Sequence, residues 1–103
     1  NVRAAIGKLG PGAADVPSVA AQVGCSPRTL QRRLAQAGTS FKALIESYRM
    51  EEALILLAES QASIAQIGRL LGYSQTSAFS RAVSHWWGAS PRALRQARGV
   101  PLR

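Results

Sequence analysis

The chain has 103 residues, 47% of them apolar, and its thirteen lysines and arginines outnumber its five aspartates and glutamates for a net charge of +8. That length suits one modest domain or two very small ones sharing a core. No apolar run approaches the ~18 residues needed to span a bilayer, "ALILLA" at 53–58 being the longest candidate, and no signal peptide is visible, which argues against a membrane protein. A lone cysteine, Cys25, excludes an internal disulfide and fits a reducing cytoplasm. With His85 the only histidine, a conventional zinc site lacks ligands, no glycine-rich phosphate loop is present, and a nucleophilic pair of Cys25 and His85 would lack an orienting acid.

The charge is also unevenly placed. The acids are Asp15, Glu46, Glu51, Glu52 and Glu59, so residues 16–45 and 60–103 contain none. Two acid-free, arginine-bearing stretches should be drawn to polyanions.

The opening "NVRAAIGKL" spaces Val2, Ile6 and Leu9 along one helical face, as a piece cut from a longer protein would. "GPGAAD" at 10–15 reads as a loop. "DVPSVAAQVG" at 15–24 then predicts a short amphipathic helix. Asp15 is its cap, Val16, Val19 and Val23 form its apolar face, and Gly24 ends it. A turn follows, and "SPRTLQRRLAQAG" predicts a second helix with Ser26 as cap, Pro27 at the first helical position and Leu30, Leu34 and Ala37 facing the core. Residues 41–58 contain neither proline nor glycine, and a helix of ~18 residues there would be about 27 Å long, with its glutamates solvated.

Forty-eight positions after the first amphipathic helix, "SIAQIGRLLG" repeats it, with Ser63 matching Asp15 and Ile64, Ile67 and Leu71 matching the valines. A second turn leads to another helix, capped by Ser74 and burying Phe79, Ala82, Val83 and Trp86. Trp86 and Trp87 read as packing residues rather than as a stacking platform for single strands. "ASPRAL" starts a last helix, and 98–103 reads as a frayed basic tail. The expected fold class is all-α: two helix-turn-helix subdomains joined by a long linker helix, about seven helices in all. The predicted divisions are 1–40 for the first unit, 41–58 for the linker helix, 59–97 for the second unit and 98–103 for the tail.

A helix that enters a major groove needs a slim polar face for base edges and an apolar face against its scaffold. At about 100° per residue, Arg28, Arg32 and Ala35 point nearly opposite Leu30, with Gln31 beside them. Opposite Phe79 lie Ser77, Arg81 and Ser84, and Gln75 and Thr76 occupy the first turn. Arg33 falls on a flank suited to phosphate. The linker length also approaches one turn of B-DNA, about 34 Å, the spacing of successive major grooves on one side of a duplex. The alternative reading is a basic helical module that holds an acidic protein partner.

These residues resemble a known family, the C-terminal DNA-binding domain of AraC/XylS-type bacterial transcription regulators. The resemblance runs from about residue 15 to residue 96. It rests on "VAAQVGCSPRTLQRRL", on Arg49 and Ala53 of "RMEEA", and above all on "SIAQIGRLLGYSQTSAFSRAVSHWWGASPRAL". It implies sequence-specific binding of double-stranded DNA, without enzymatic activity, in an activator of transcription. Arg28, Gln31, Arg32, Gln75, Thr76, Ser77 and Arg81 are the implied base readers, and Arg33, Lys42, Arg69 and Arg92 are expected at phosphates. It also implies an N-terminal effector or dimerisation domain and RNA polymerase as a further partner. Two departures stand out. Gly68 replaces the family's usual alanine and Val83 its usual phenylalanine, which implies looser packing in the second unit.

Overall fold

The computed structural model describes residues 1–97, so the tail expected at 98–103 lies outside the described residues. Among the described residues the chain forms seven helices and no strand: α1 (Val2–Leu9), α2 (Val16–Val23), α3 (Pro27–Gln36), α4 (Phe41–Glu59), α5 (Ile64–Leu70), α6 (Thr76–Trp87) and α7 (Pro91–Gln96). They make two compact units, Asn1–Tyr48 and Arg49 onward, whose boundary falls inside α4.

In the first unit, Ile6 of α1, Val19 and Ala20 of α2, Leu30 and Leu34 of α3 and Ile45 of α4 form one core. Each large aliphatic side chain buried there contributes on the order of 1.5–3 kcal/mol. Local chemistry starts and stops its helices. The Asp15 carboxylate accepts from the Ser18 N–H at 2.8 Å, and hydrogen bonding from the Ser18 side chain, then from its amide, holds the Asp15 pKa below the usual carboxylate value. Gly24 takes a left-handed φ of 79°, which an L side chain resists. That turn lets the Cys25 N–H reach back to the Ala20 carbonyl at 2.9 Å.

The second unit repeats this plan. Ser63 and Gln66 form a reciprocal capping box: the Gln66 N–H donates to Ser63 Oγ at 3.1 Å and the Ser63 N–H to Gln66 Oε1 at 2.8 Å. The Tyr73 N–H donates to the Gly68 carbonyl at 2.9 Å, matching the Cys25 to Ala20 bond forty-eight positions earlier. Ala53, Leu57, Ile67, Leu71, Phe79, Val83 and Leu94 make its core.

Four expectations need correction. Ser74 does not cap the second reader helix. Gln75 does, with φ −122° and no side-chain hydrogen bond, so α6 begins at Thr76. Pro27, Gln75's counterpart along the repeat, is held near −65° by its ring and forces α3 to start directly after Ser26, whereas Gln75 is free to stay extended. The buried pairs of the reader helices are consequently 49 positions apart (79 − 30 and 83 − 34) rather than 48. Ala37 is exposed rather than in the core, because α3 has already ended at its cap there. Glu51 and Glu52 are half-buried, although Glu46 and Glu59 are solvated as expected. Gly68 leaves no void: a Cβ built on it would lie 3.1 Å from Phe79 ring atoms, so the missing side chain is what admits the aromatic ring. Val83 is fully buried.

Candidate nucleic-acid interface

Reader helix α3 is fixed to its unit by Leu30 and Leu34, exposed only 2% and 8%. The same helical period sends Arg28, Gln31, Arg32 and Ala35 to the other side, and all four are exposed, as is Arg33 on the flank. Its start is firmly set: Ser26 Oγ accepts from the Thr29 N–H at 3.1 Å and meets the Thr29 hydroxyl at 3.0 Å. The apolar side anchors while the cationic side stays open.

Charge along the helices runs against stability. A carboxylate in a helix's first turn complements the macrodipole and a cation opposes it, each by about 0.3–1 kcal/mol. None of the seven helices has an acid in its first turn. Arg28, Lys42 and Arg92 each stand second in their helices, α3, α4 and α7, and all three are exposed. Cations on the positive ends of helices become favourable when an anion sits between them, as at a phosphate.

On α6, Phe79 and Val83 are fully buried. Gln75, Thr76, Ser77 and Arg81 are exposed, and Ser80 is half-buried beside them. With the 49-residue offset, Arg81 matches Arg32 and Ser77 matches Arg28. Each reader thus presents an arginine two residues past its first buried anchor, but only α3 adds a second one in the opening turn. Arg69, in the last turn of α5, is exposed as well. All eleven sequence-nominated residues are therefore accessible within their own unit.

Other cations have structural duties that the sequence reading missed. Arg95 of α7 donates through Nε to the Leu57 carbonyl at 3.1 Å, and an Nη donates to the carbonyls of Ser60 at 3.3 Å and Leu56 at 3.5 Å. It thereby covers carbonyls at the C-terminal end of α4, where a cation complements the dipole, although that of Leu56 also accepts from the Ser60 N–H at 3.0 Å. No local signal separates it from Arg92, three residues earlier. Arg49 could have been found. At helical spacing it lies in the stripe of Ile45, Ala53 and Leu57, all buried, and its guanidinium carbon stands 5.2 Å from the Tyr73 ring centroid.

The tryptophans pack as expected. Both are half-buried, and Trp87 Nε1 donates to the Met50 carbonyl at 3.1 Å. Among the described residues, no cluster of three or more histidine, cysteine, aspartate or glutamate side chains could hold a metal, and no helix is long and apolar enough to cross a membrane.

Comparisons with known proteins agree with this geometry. A helix-turn-helix domain family matches residues 19–97. The chain is 41% identical over 92 residues to the HTH-type transcriptional regulator VirS of Mycobacterium tuberculosis, an alignment covering 89% of this chain and 27% of VirS. It spans about a quarter of the length of the curated relatives it matches. Among solved structures, a Chromobacterium violaceum transcriptional regulator, described as an AraC-type DNA-binding domain-containing protein, has a TM-score of 0.76 at 28% identity, covering 98% of this chain and 88% of that one. A DNA-binding transcriptional dual regulator of Escherichia coli K-12 shares the fold, with a TM-score of 0.85 at 24% identity over 94% of this chain and 87% of its own. The repeated helix pair, its open cationic faces and a family match over most of the chain lead to one assignment: the chain belongs to the AraC-type helix-turn-helix family, the DNA-binding domains of transcription regulators.

Proposed function

We propose that this domain reads a specific double-stranded DNA sequence with α3 and α6, which enter successive major grooves while α4 serves as the linker. The face of α3 carries the proposal: Arg28, Gln31 and Arg32 stand exposed opposite the buried Leu30 and Leu34. Arginine can bond guanine, and glutamine adenine, through two hydrogen bonds at once. Gln75, Thr76, Ser77 and Arg81 form the second reading face. Arg33, Lys42, Arg69 and Arg92 fix register at phosphates, a task that needs charge but no base contact. We propose further that the reader is part of a longer protein with an effector or dimerisation domain, acting in the cytoplasm and activating transcription together with RNA polymerase; the chain's span of about a quarter of its relatives' length supports a longer protein.

Selection of bound duplexes from a random pool tests the reading. The expected result is two preferred blocks about one helical turn apart. Gel-shift titrations at two salt concentrations should show tighter binding to the selected duplex than to scrambled DNA at both. Equal binding of every duplex, weakening in parallel with salt, would leave only the basic module for an acidic protein partner. The family match and the relatives' names weigh against that alternative.

A further inference from the structure

Arg49, half-buried, is the one cation in the α4 stripe of the buried Ile45, Ala53 and Leu57, and its Nε is buried with no hydrogen-bond partner. Such an atom is unfavourable where it sits, and an apolar residue of similar length would remove the cost. Packing alone therefore does not explain an arginine here. What it does touch is the face of Tyr73, 5.2 Å from the ring centroid. A guanidinium over a tyrosine ring is an oriented contact, because planar charge and ring face must align.

Tyr73 occupies the turn between α5 and α6. Its N–H closes α5 onto the Gly68 carbonyl. Its ring lies 5.5 Å from that of Phe79 and 6.4 Å, edge-on, from that of Trp86. Two residues further on, Gln75 starts α6 without any side-chain hydrogen bond. The first unit needs no comparable contact, since Ser26 and Pro27 start α3 locally and Cys25 stands at Tyr73's place in the repeat.

We infer that Arg49 is a positioning residue for DNA reading: stacked on Tyr73, it fixes the turn that launches α6 and so sets how Gln75, Thr76, Ser77 and Arg81 meet the bases. This rests on the DNA-reading function proposed above. Arg49 itself contacts no base. It acts through the tyrosine ring, and its influence is confined to the second block of the binding site.

The test is duplex selection and titration with the full chain as the parent protein and its Arg49→Met and Arg49→Lys variants, with circular dichroism and thermal unfolding alongside. Expected for Arg49→Met is a helical protein that selects the first block as the parent does, has lost preference in the second, and binds the parent's selected duplex about tenfold more weakly. Its affinity for duplexes with a scrambled second block should stay within about twofold of the parent's. Arg49→Lys, which keeps the charge and loses the plane, should show a partial loss of second-block preference. If Arg49→Met does not fold, the lysine variant decides by the same readout. Unchanged preference in both blocks would reduce Arg49 to core packing and overturn the inference. Equal weakening on all duplexes with a flatter salt dependence, rescued by lysine, would make it a phosphate contact and overturn it too. A parent protein that selects no sequence would sink the DNA-reading function itself, an outcome distinct from either.

Discussion

In the first unit the reader helix starts on chemistry held within four residues, Ser26 to Thr29. The serine cap, the proline ring and the threonine amide fix its first turn through local contacts. In the second unit α6 starts one repeat position later, on an uncapped Gln75, and is held instead by Phe79 against Gly68 and by the aromatic group of Tyr73, Phe79 and Trp86. Duplicated helix-turn-helix plans can thus reach similar geometry by different routes. A locally capped helix keeps its first turn when the core loosens, whereas one positioned through its core loses register with it. The same asymmetry appears in charge, with Arg28 and Arg32 on α3 against Arg81 alone on α6.

The largest expected effect comes from removing the ring on which the second route depends. Phe79→Ala should cost about 3–5 kcal/mol of stability, and Leu30→Ala about 2–5 kcal/mol. Amide exchange should then show protection lost from α5 to α7 in the first variant and from α2 and α3 in the second. Identical exchange maps for the two variants would erase the distinction between the units.

Next in size are the paired arginines. Arg32→Ala should weaken binding to the selected duplex by about 1–3 kcal/mol and relax preference at one base pair of the first block. Arg81→Ala should do the same in the second block, at the lower end of that range, because its helix offers fewer companions. A larger loss at Arg81 would reverse the ranking of the two readers.

Caps come third. Ser26→Ala should lower stability by about 1 kcal/mol, and Gln75→Ser, by supplying the missing acceptor, should raise it by some tenths of that, both measured by urea unfolding. A destabilised Gln75→Ser variant would show that the start of α6 is fixed by more than the absence of a cap.

The smallest effect is one of pH. Hydrogen bonds to Ser18 hold the Asp15 pKa below its ordinary value, so its folded pKa lies under the unfolded one. The stabilisation is complete above the usual carboxylate value of about 4 and drains away as pH falls through the lower folded value. Ser63, the matching cap of α5, does not titrate. Amide exchange should therefore show α2 losing protection relative to α5 in that acid range, and Asp15→Asn should abolish the difference.

Much of the fold is legible in the residues because the forces that shape it act over short sequence distances. Apolar spacing places Leu30 and Leu34 inside and Arg28 and Arg32 outside within a single helix. Caps such as Asp15, Ser26 and Ser63 bond an amide three positions ahead. The repeat itself shows as matching caps, anchors and glycines. The start of α6 is not legible in this way, because Ser74 carries the same local signal as Ser26 and only the proline after Ser26 separates them.

By itself, then, the sequence determined where most helices form, which faces they bury and that Arg28 and Arg32 stay in water, since those outcomes depend on neighbours within about four residues. Tertiary structure alone decided that Arg95 covers the end of α4 and that Arg49 stacks on Tyr73. Each of those contacts joins residues far apart in the sequence. An arginine on a short basic helix carries no local mark of whether a distant carbonyl, a ring or a phosphate will take its charge.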